Sequence, residues 1–237
     1  MEEKPRKSRR RWFQYSLRTL LIVMTVCAAL FAWWSHKARQ QREAVAAIKA
    51  AGGEVQYDFK RNHLKQPRYW PTWLVNVLGV DYFASVQWVY LTNTQVTDAG
   101  LEHLKGLTAI QLLALKNTQV TDAGLEHIKS LTAMQTLGLS GTQVTDAGLE
   151  HIKGFKVLRT LGLSDTHVTD AGLEHLKGLT AMKEQLDLSN NPQVTDAGLE
   201  HLMGLTAMQT LWLNGTQVTD AGVARLQKAL PNCKISH

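Results

Sequence analysis

From residue 86 to the C-terminus the apolar positions follow one recurring pattern. Apolar residues stand two apart in Val89/Leu91, Leu113/Leu115, Leu137/Leu139, Leu161/Leu163, Leu186/Leu188 and Leu211/Leu213. That spacing puts both on one face of a strand. The next apolar positions, such as Leu101, Leu104 and Leu107, stand three apart, which is a helical face. Each unit is therefore one strand and one short helix. The string VTDAG joins them, starting at Val96, Val120, Val144, Val168, Val194 and Val218, with spacings of 24, 24, 24, 26 and 24. One such unit cannot bury its apolar face alone, and stacked units share a core. Successive strands must then run parallel, six of them spanning about 24 Å. Thr97 or Asp98 is expected to cap the helix of its unit. The VTDAG glycine is expected to let neighbouring coils approach closely. The 26-residue unit carries one extra residue before Leu186 and one near Pro192, which predicts a local bulge. In the last unit Pro231 stops the helix, with Cys233 and Ile235 expected in a closing cap.

The N-terminal part has a different pattern. An uncharged run, Thr19 to Trp34, covers 16 residues, about 24 Å of helix. It is short for a bilayer core of about 30 Å, but workable if Leu17 joins it and Arg18 snorkels. Trp33 and Trp34 stand where an interfacial aromatic belt belongs. Residues 1–18 form a basic tail with Lys4, Arg6, Lys7, Arg9, Arg10, Arg11 and Arg18. We read residues 19–34 as a transmembrane signal anchor with the N-terminus in the cytoplasm and the repeats outside. Secretion after signal cleavage, best placed after Ala29, and a buried core helix are the alternatives.

Residues 35–85 are expected to form a helical and aromatic cap. Residues 37–51 read as a helix ended by Gly52-Gly53, and Glu54 to Phe59 alternate like a strand. A short helix is expected from Pro71. An aromatic cluster, Tyr69, Trp70, Trp73, Tyr82, Phe83 and Trp88, reads either as a binding pocket or as a hydrophobic cover for the first coil.

Charge sharpens the division. The chain of 237 residues is formally +6, but residues 1–80 hold 15 basic and 5 acidic residues (+10) and residues 81–237 hold 11 and 15 (−4). A net-negative repeat array argues against nucleic acid as its partner. Two cysteines exclude a disulfide scaffold.

Residues 86–237, with six repeats and a C-terminal cap, resemble a leucine-rich repeat domain. The V-T-D-A-G-L segment is similar to the cysteine-containing subclass, also found in substrate receptors of ubiquitin ligases. In that subclass a Cys or Asn follows the strand; here the position is read as Thr94, Thr118, Thr142, Thr166, Pro192 and Thr216. Near-identical repeats behind a basic tail and apolar segment look like bacterial membrane-anchored repeat proteins. The resemblance implies an α/β solenoid, with parallel strands on the concave face and short helices on the convex face. No F-box-like module precedes the repeats, which argues against a ubiquitin-ligase role.

Candidate chemistry is sparse. Five repeats carry Glu-His, from Glu102-His103 to Glu200-His201. Equivalent positions on stacked coils form a row rather than a cluster, so a solvated convex face is the simpler reading than a metal site; a pH-sensitive surface is the other option. The recurring aspartates read as helix caps. No nucleophile elbow, P-loop, HExxH or dinucleotide fingerprint is present, so we expect no enzyme, cofactor or metal.

Binding is the better reading, and it belongs on the concave face. The outward strand centres are Tyr90, Ala114, Gly138, Gly162, Asp187 and Trp212. We select Trp88, Tyr90, Lys116, Asp187, Trp212 and Asn214 as partner-binding residues, because aromatic anchors dominate hot spots. The expected function is protein recognition by a membrane-tethered repeat domain. A structural spacer without a dedicated partner is the alternative.

Overall fold

The computed structural model describes residues 17–58 and 70–237. Residues 1–16, most of the basic tail read over residues 1–18, and residues 59–69, with Phe59 and Tyr69, lie outside the described residues. The chain divides into two units, Met1–Lys37 and Ala38–His237.

In the first unit the described residues are helical, part of α1 (Leu17–Ala50). Its apolar side chains, Leu20, Leu21, Ile22, Val23 and Phe31 among them, are exposed. The helix is long and apolar enough to cross a membrane. The Lys37 ammonium lies over the Trp33 ring, 5.8 Å from its centroid. Where the pattern suggested two segments, 19–34 and 37–51, there is one uninterrupted helix. No proline or glycine falls between Leu17 and Ala50 to break it.

The second unit is a solenoid. Among the described residues it holds an eight-stranded sheet in the order β1 to β8. The strands are β1 (Glu54–Tyr57), β2 (Val86–Tyr90), β3 (Leu112–Ala114), β4 (Thr136–Gly138), β5 (Thr160–Gly162), β6 (Gln185–Asp187), β7 (Thr210–Trp212) and β8 (Lys234–Ser236). β1 runs antiparallel to β2, and every later pair is parallel. α2 (Thr72–Leu78) precedes β2. The repeat helices are α3 (Asp98–Glu102), α4 (Asp122–Ile128), α5 (Asp146–Ile152), α6 (Asp170–Leu173), α7 (Asp196–Leu199) and α8 (Asp220–Ala229).

Register explains the core. Val89, Leu113, Leu137, Leu161, Leu186 and Leu211 are aligned across β2 to β7 and fully buried. Behind them lie the leucines two residues later, the VTDAG valines and the helix residues at spacing three, in one continuous cluster. At the position of Leu107, Leu131, Leu179 and Leu205, one coil uses the larger Phe155, also fully buried.

The bulge expected in the 26-residue unit is absent. β5, β6 and β7 keep an unbroken register, and the sheet's irregularity falls instead at Gln56/Tyr57. Both extra residues sit in the turns flanking β6. Before the strand, Glu184 and Gln185 both donate to Arg159 O (3.1 and 3.3 Å), and the next coil spreads its bonds over Lys183 O and Glu184 O. After the strand, Pro192 bulges outward, exposed. Short strands leave the turns free to absorb length, so the ladder need not distort.

The same turn corrects the alignment of Pro192. The inward position after each strand is three residues past the buried leucine. There Thr118, Thr142 and Thr166 donate to Leu115 O, Leu139 O and Leu163 O at 2.6–2.8 Å. In the long coil it is Asn191, 1% exposed. Asn191 Nδ2 donates to Leu163 O and Leu188 O, and its Oδ1 accepts from the Thr166 amide (3.2 Å) and hydroxyl (3.0 Å). Thr and Asn, not Cys, therefore fill this position.

At the N-terminal end the first coil is covered by Ala44, Val45 and Ile48 of α1 and by Tyr57 of β1. Asp81 ties these elements together. Its Oδ1 accepts from the Tyr57 hydroxyl (2.9 Å) and Gln41 Nε2 (3.1 Å), and Arg42 Nε lies 3.7 Å from Oδ2. Burial first, then the Asp81 charge, pushes the Tyr57 phenol well above its ordinary range. At the other end β8 pairs with β7 and Cys233 is buried, which raises its thiol pKa.

Candidate binding face

The parallel register converts single strand positions into rows. One row runs Trp88, Leu112, Thr136, Thr160, Gln185, Thr210 and Lys234. The second runs Tyr90, Ala114, Gly138, Gly162, Asp187, Trp212 and Ser236. Alternation along each strand points both rows away from the buried centre row. A third row follows the strands, because Asn93 N donates to Lys116 O, Asn117 N to Ser140 O, Gly141 N to Ser164 O, Asp165 N to Ser189 O and Asn190 N to Asn214 O.

The candidate residues separate into two ends. Trp88 and Tyr90 lie on β2, with Lys116 just after β3. Burial and then Glu54, its register partner on β1, push the Tyr90 phenol upward. Asp187 and Trp212 are register partners on β6 and β7, and Trp212 is flanked on its other side by Ser236. Asp187 Oδ1 accepts the Ser189 amide at 3.0 Å, and Asn214 Oδ1 accepts the Ser236 hydroxyl at 3.1 Å. β2 and β7 are five strand spacings apart, about 24 Å, so the two aromatic ends do not meet.

Between them the face is low. Gly138 and Gly162 are register partners, and neither has a positive φ. A Cβ at Gly138 would meet Ala114 Cα at 3.8 Å, ordinary van der Waals contact. Backbone conformation and packing therefore leave room for a side chain there. Glu184, which the repeat pattern had not singled out, reaches this face: its Oε2 accepts the Thr160 hydroxyl at 3.0 Å. The signal was the extra residue before Leu186.

The helix side is built otherwise. From the second unit on the VTDAG threonine caps its helix, as Thr121 Oγ1 accepts the Ala123 amide at 3.3 Å, whereas Thr97, expected as a cap, makes no such side-chain bond. The aspartate, expected as a cap, reaches to the next coil instead. Asp98 Oδ1 accepts the Thr121 amide (2.8 Å) and Oδ2 its hydroxyl (2.8 Å), a pairing repeated from Asp122, Asp146, Asp170 and Asp196. A Cβ on Gly124 or Gly148 would strike the preceding aspartate, which gives the VTDAG glycine its physical reason. The histidines lie half-buried or exposed on this side. Salt bridges Lys129–Glu126 (3.1 Å) and Lys153–Glu150 (2.8 Å) hold these glutamates below the usual carboxylate range, with neighbouring histidines adding to the effect. Among the described residues no three His, Cys, Asp or Glu side chains form a group that could hold a metal.

Comparison with known proteins agrees with this architecture. The "Leucine Rich repeat" family model matches residues 184–203, the long coil. An internalin of Listeria monocytogenes is similar in structure, with a TM-score of 0.50 and 23% identity, covering 60% of this chain and 38% of that one. A leucine-rich repeat protein of Leptospira interrogans has a TM-score of 0.47 and 23% identity, covering 57% and 33%. An internalin C2 of Listeria monocytogenes has a TM-score of 0.49 and 29% identity, covering 66% and 71%. The chain thus spans only 38% and 33% of the length of the first two structures. No curated protein matches the sequence. The chain is a solenoid of parallel strands and short helices, and its long coil matches the leucine-rich repeat model.

Proposed function

We propose that the protein is a membrane-tethered recognition module that binds a protein partner on the strand face of its repeats. The observation that carries this reading is the contrast between the faces. Inward positions and the helix side repeat nearly the same residues coil after coil, whereas the outward row changes from Tyr90 through Ala114, Gly138 and Gly162 to Asp187 and Trp212. A spacer has no reason to vary one face only. The glycines support the same reading. A strand glycine weakens the sheet and suits a place where another backbone approaches, and Gly138 is not required by its surroundings.

A partner would lie across the glycine floor with its ends against two anchors. Trp88, Tyr90 and Lys116 form the first; Asp187, Trp212 and Asn214 form the second. Trp and Tyr supply large contact areas at low entropic cost. The tether is α1, whose apolar segment from Thr19 to Trp34 would hold the chain in the cytoplasmic membrane, N-terminus inside and repeats outside. Recognition is non-catalytic in this reading. The test is capture of proteins from native membranes by the full chain, comparing wild type with Trp212→Ala. A partner retained by wild type and lost by the variant supports the proposal; no selective partner favours the spacer.

A further inference from the structure

Asn214 and Gly215 form the one Asn-Gly pair in the sequence. They lie in the turn after β7, and both are exposed. Along this row of turns the backbone amides are held by the next coil. Asn93 N donates to Lys116 O, Asn117 N to Ser140 O, Gly141 N to Ser164 O, Asp165 N to Ser189 O and Asn190 N to Asn214 O. Gly215 is the next member of the row, and its N–H has no hydrogen-bond partner among the described residues. Its φ of 73° matches the left-handed turns of the other coils. The missing pairing, not the backbone shape, sets Gly215 apart.

An amide held in a ladder is fixed in place and reacts only when the ladder opens; the Gly215 N–H needs no such opening. Two further features favour attack by this nitrogen on the Asn214 side chain. Glycine has no Cβ to crowd the forming ring. Asn214 Oδ1 accepts the Ser236 hydroxyl at 3.1 Å, which draws electron density from Cγ and makes it a better electrophile. The other asparagines of the row are followed by Thr94, Thr118 and Asn191, whose side chains crowd the same approach.

We infer that Asn214 is a self-modification site of the folded protein, at which Gly215 N closes on the side-chain amide and converts the residue to isoaspartate and aspartate. The bond from Gly215 N to Asn214 Cγ forms and the Cγ–Nδ2 bond breaks. The side-chain nitrogen leaves as ammonia, taking the Gly215 proton, and a cyclic imide remains. Water then opens the imide. Attack at Cγ gives aspartate on the normal backbone, and attack at the main-chain carbonyl carbon gives isoaspartate, whose backbone runs through Cγ. Nothing is oxidised or reduced. Either product places a carboxylate two residues after Trp212. Isoaspartate also takes the carbonyl that accepts Asn190 N (2.7 Å) out of the main chain. Where the strand face recognises a protein, the conversion alters its second anchor; that consequence rests on the reading above, and the chemistry does not.

The test incubates the full chain in detergent micelles and mildly alkaline buffer, folded and in urea. Peptide mass spectrometry follows each asparagine, and enzymatic methylation tells isoaspartate from aspartate. Asn214 should show the mass gain of exchanging its amide nitrogen for oxygen, at nearly the same rate in both states and with isoaspartate present. Asn93, Asn117 and Asn190 should keep their amides in the folded chain. Ser140→Asn makes a second Asn-Gly pair, in a coil where Ser164 O holds the Gly141 N–H. It should keep its amide while folded and lose it in urea. An Asn214 that reacts only in urea overturns the inference. So does aspartate without isoaspartate, which means direct hydrolysis, and so does a folded Ser140→Asn chain that reacts as fast at this position as at Asn214. If Ser140→Asn does not fold, the wild-type comparison of folded and urea states decides by itself. No partner enters the experiment, so its failure leaves the recognition reading standing.

Discussion

Asp146 and Thr169 sit on successive coils, and the Asp146 carboxylate takes both donors of Thr169: the amide at 2.8 Å and the hydroxyl at 2.7 Å. Thr169 in turn accepts the Ala171 amide and so caps its own helix. One residue's carboxylate thus orders the helix start of the next unit. Since each coil depends on its neighbour for its core, this link couples coils on the helix side as the strand ladder does on the other. Removing the carboxylate from an interior coil, as in Asp122→Ala, leaves the Thr145 amide and hydroxyl without their acceptor. The expected cost is about 1–3 kcal/mol, read from the urea midpoint.

The last link in this series is sensitive to acid. Backbone and side-chain hydrogen bonds from Thr219 hold the Asp196 carboxyl below its ordinary range, and Arg225 adds to this. Because the folded state lowers this pKa, the stabilisation is present above the unfolded pKa and is lost as pH falls through the folded one. Asp196→Asn should therefore be less stable than wild type at neutral pH. The Tm gap between them should close as pH drops below the usual carboxylate range. A gap that stays constant to low pH would show that the charge contributes nothing.

Asn191 and Thr142 occupy equivalent inward positions with different workloads. Thr142 makes one bond, to Leu139 O. Asn191 serves three carbonyls with its amide, Leu163 O, Leu188 O and Ser189 O, and accepts twice at Oδ1. Asn191→Ala should cost about 2–3 kcal/mol and Thr142→Ala about 1 kcal/mol, compared in denaturant melts. Equal losses would mean that the Asn191 network adds nothing beyond a single bond.

The two kinds of glycine should respond in opposite directions. Gly148→Ala presses a methyl against Asp122 and against Leu125 Cδ1 at 3.0 Å, and overpacking of this sort costs about 1–3 kcal/mol. Gly138→Ala adds a methyl at ordinary contact distance and should stabilise the strand by about 0.5–1 kcal/mol. If the floor is a binding surface, the second substitution should also weaken capture of the partner. Calorimetry and the capture assay separate the two effects.

Much of this architecture was legible because the VTDAG strings recur at an almost fixed spacing, and spacings of two and three apolar residues identify strand and helix without further help. What the pattern missed depends on partners in three dimensions. Asp98 and its equivalents look like helix caps in one unit, and only stacking shows that their nearest donors are on the next coil. Pro192 aligned with the threonines by counting back from VTDAG; counting forward from Leu188 selects Asn191, and buried hydrogen bonding decides between them. β1 was expected from the alternation of Glu54 to Phe59, but its pairing with β2, and β8 at the other end, carry no repeat signal. On the strand face, the identity of the outward residues was readable, but the spare room at Gly138 and the reach of Glu184 were not.

The central proposal is that the varied strand face, and not the uniform helix face, recognises a protein. Affinity for a captured partner, measured by titration against the full chain, distinguishes the faces when Trp212→Ala is compared with Glu126→Ala on the helix side. The proposal expects Trp212→Ala to lose more than about 1 kcal/mol of binding, roughly fivefold in Kd, with an unchanged melting transition, while Glu126→Ala binds as wild type. Equal affinity for wild type and Trp212→Ala, or a loss confined to Glu126→Ala, would contradict it.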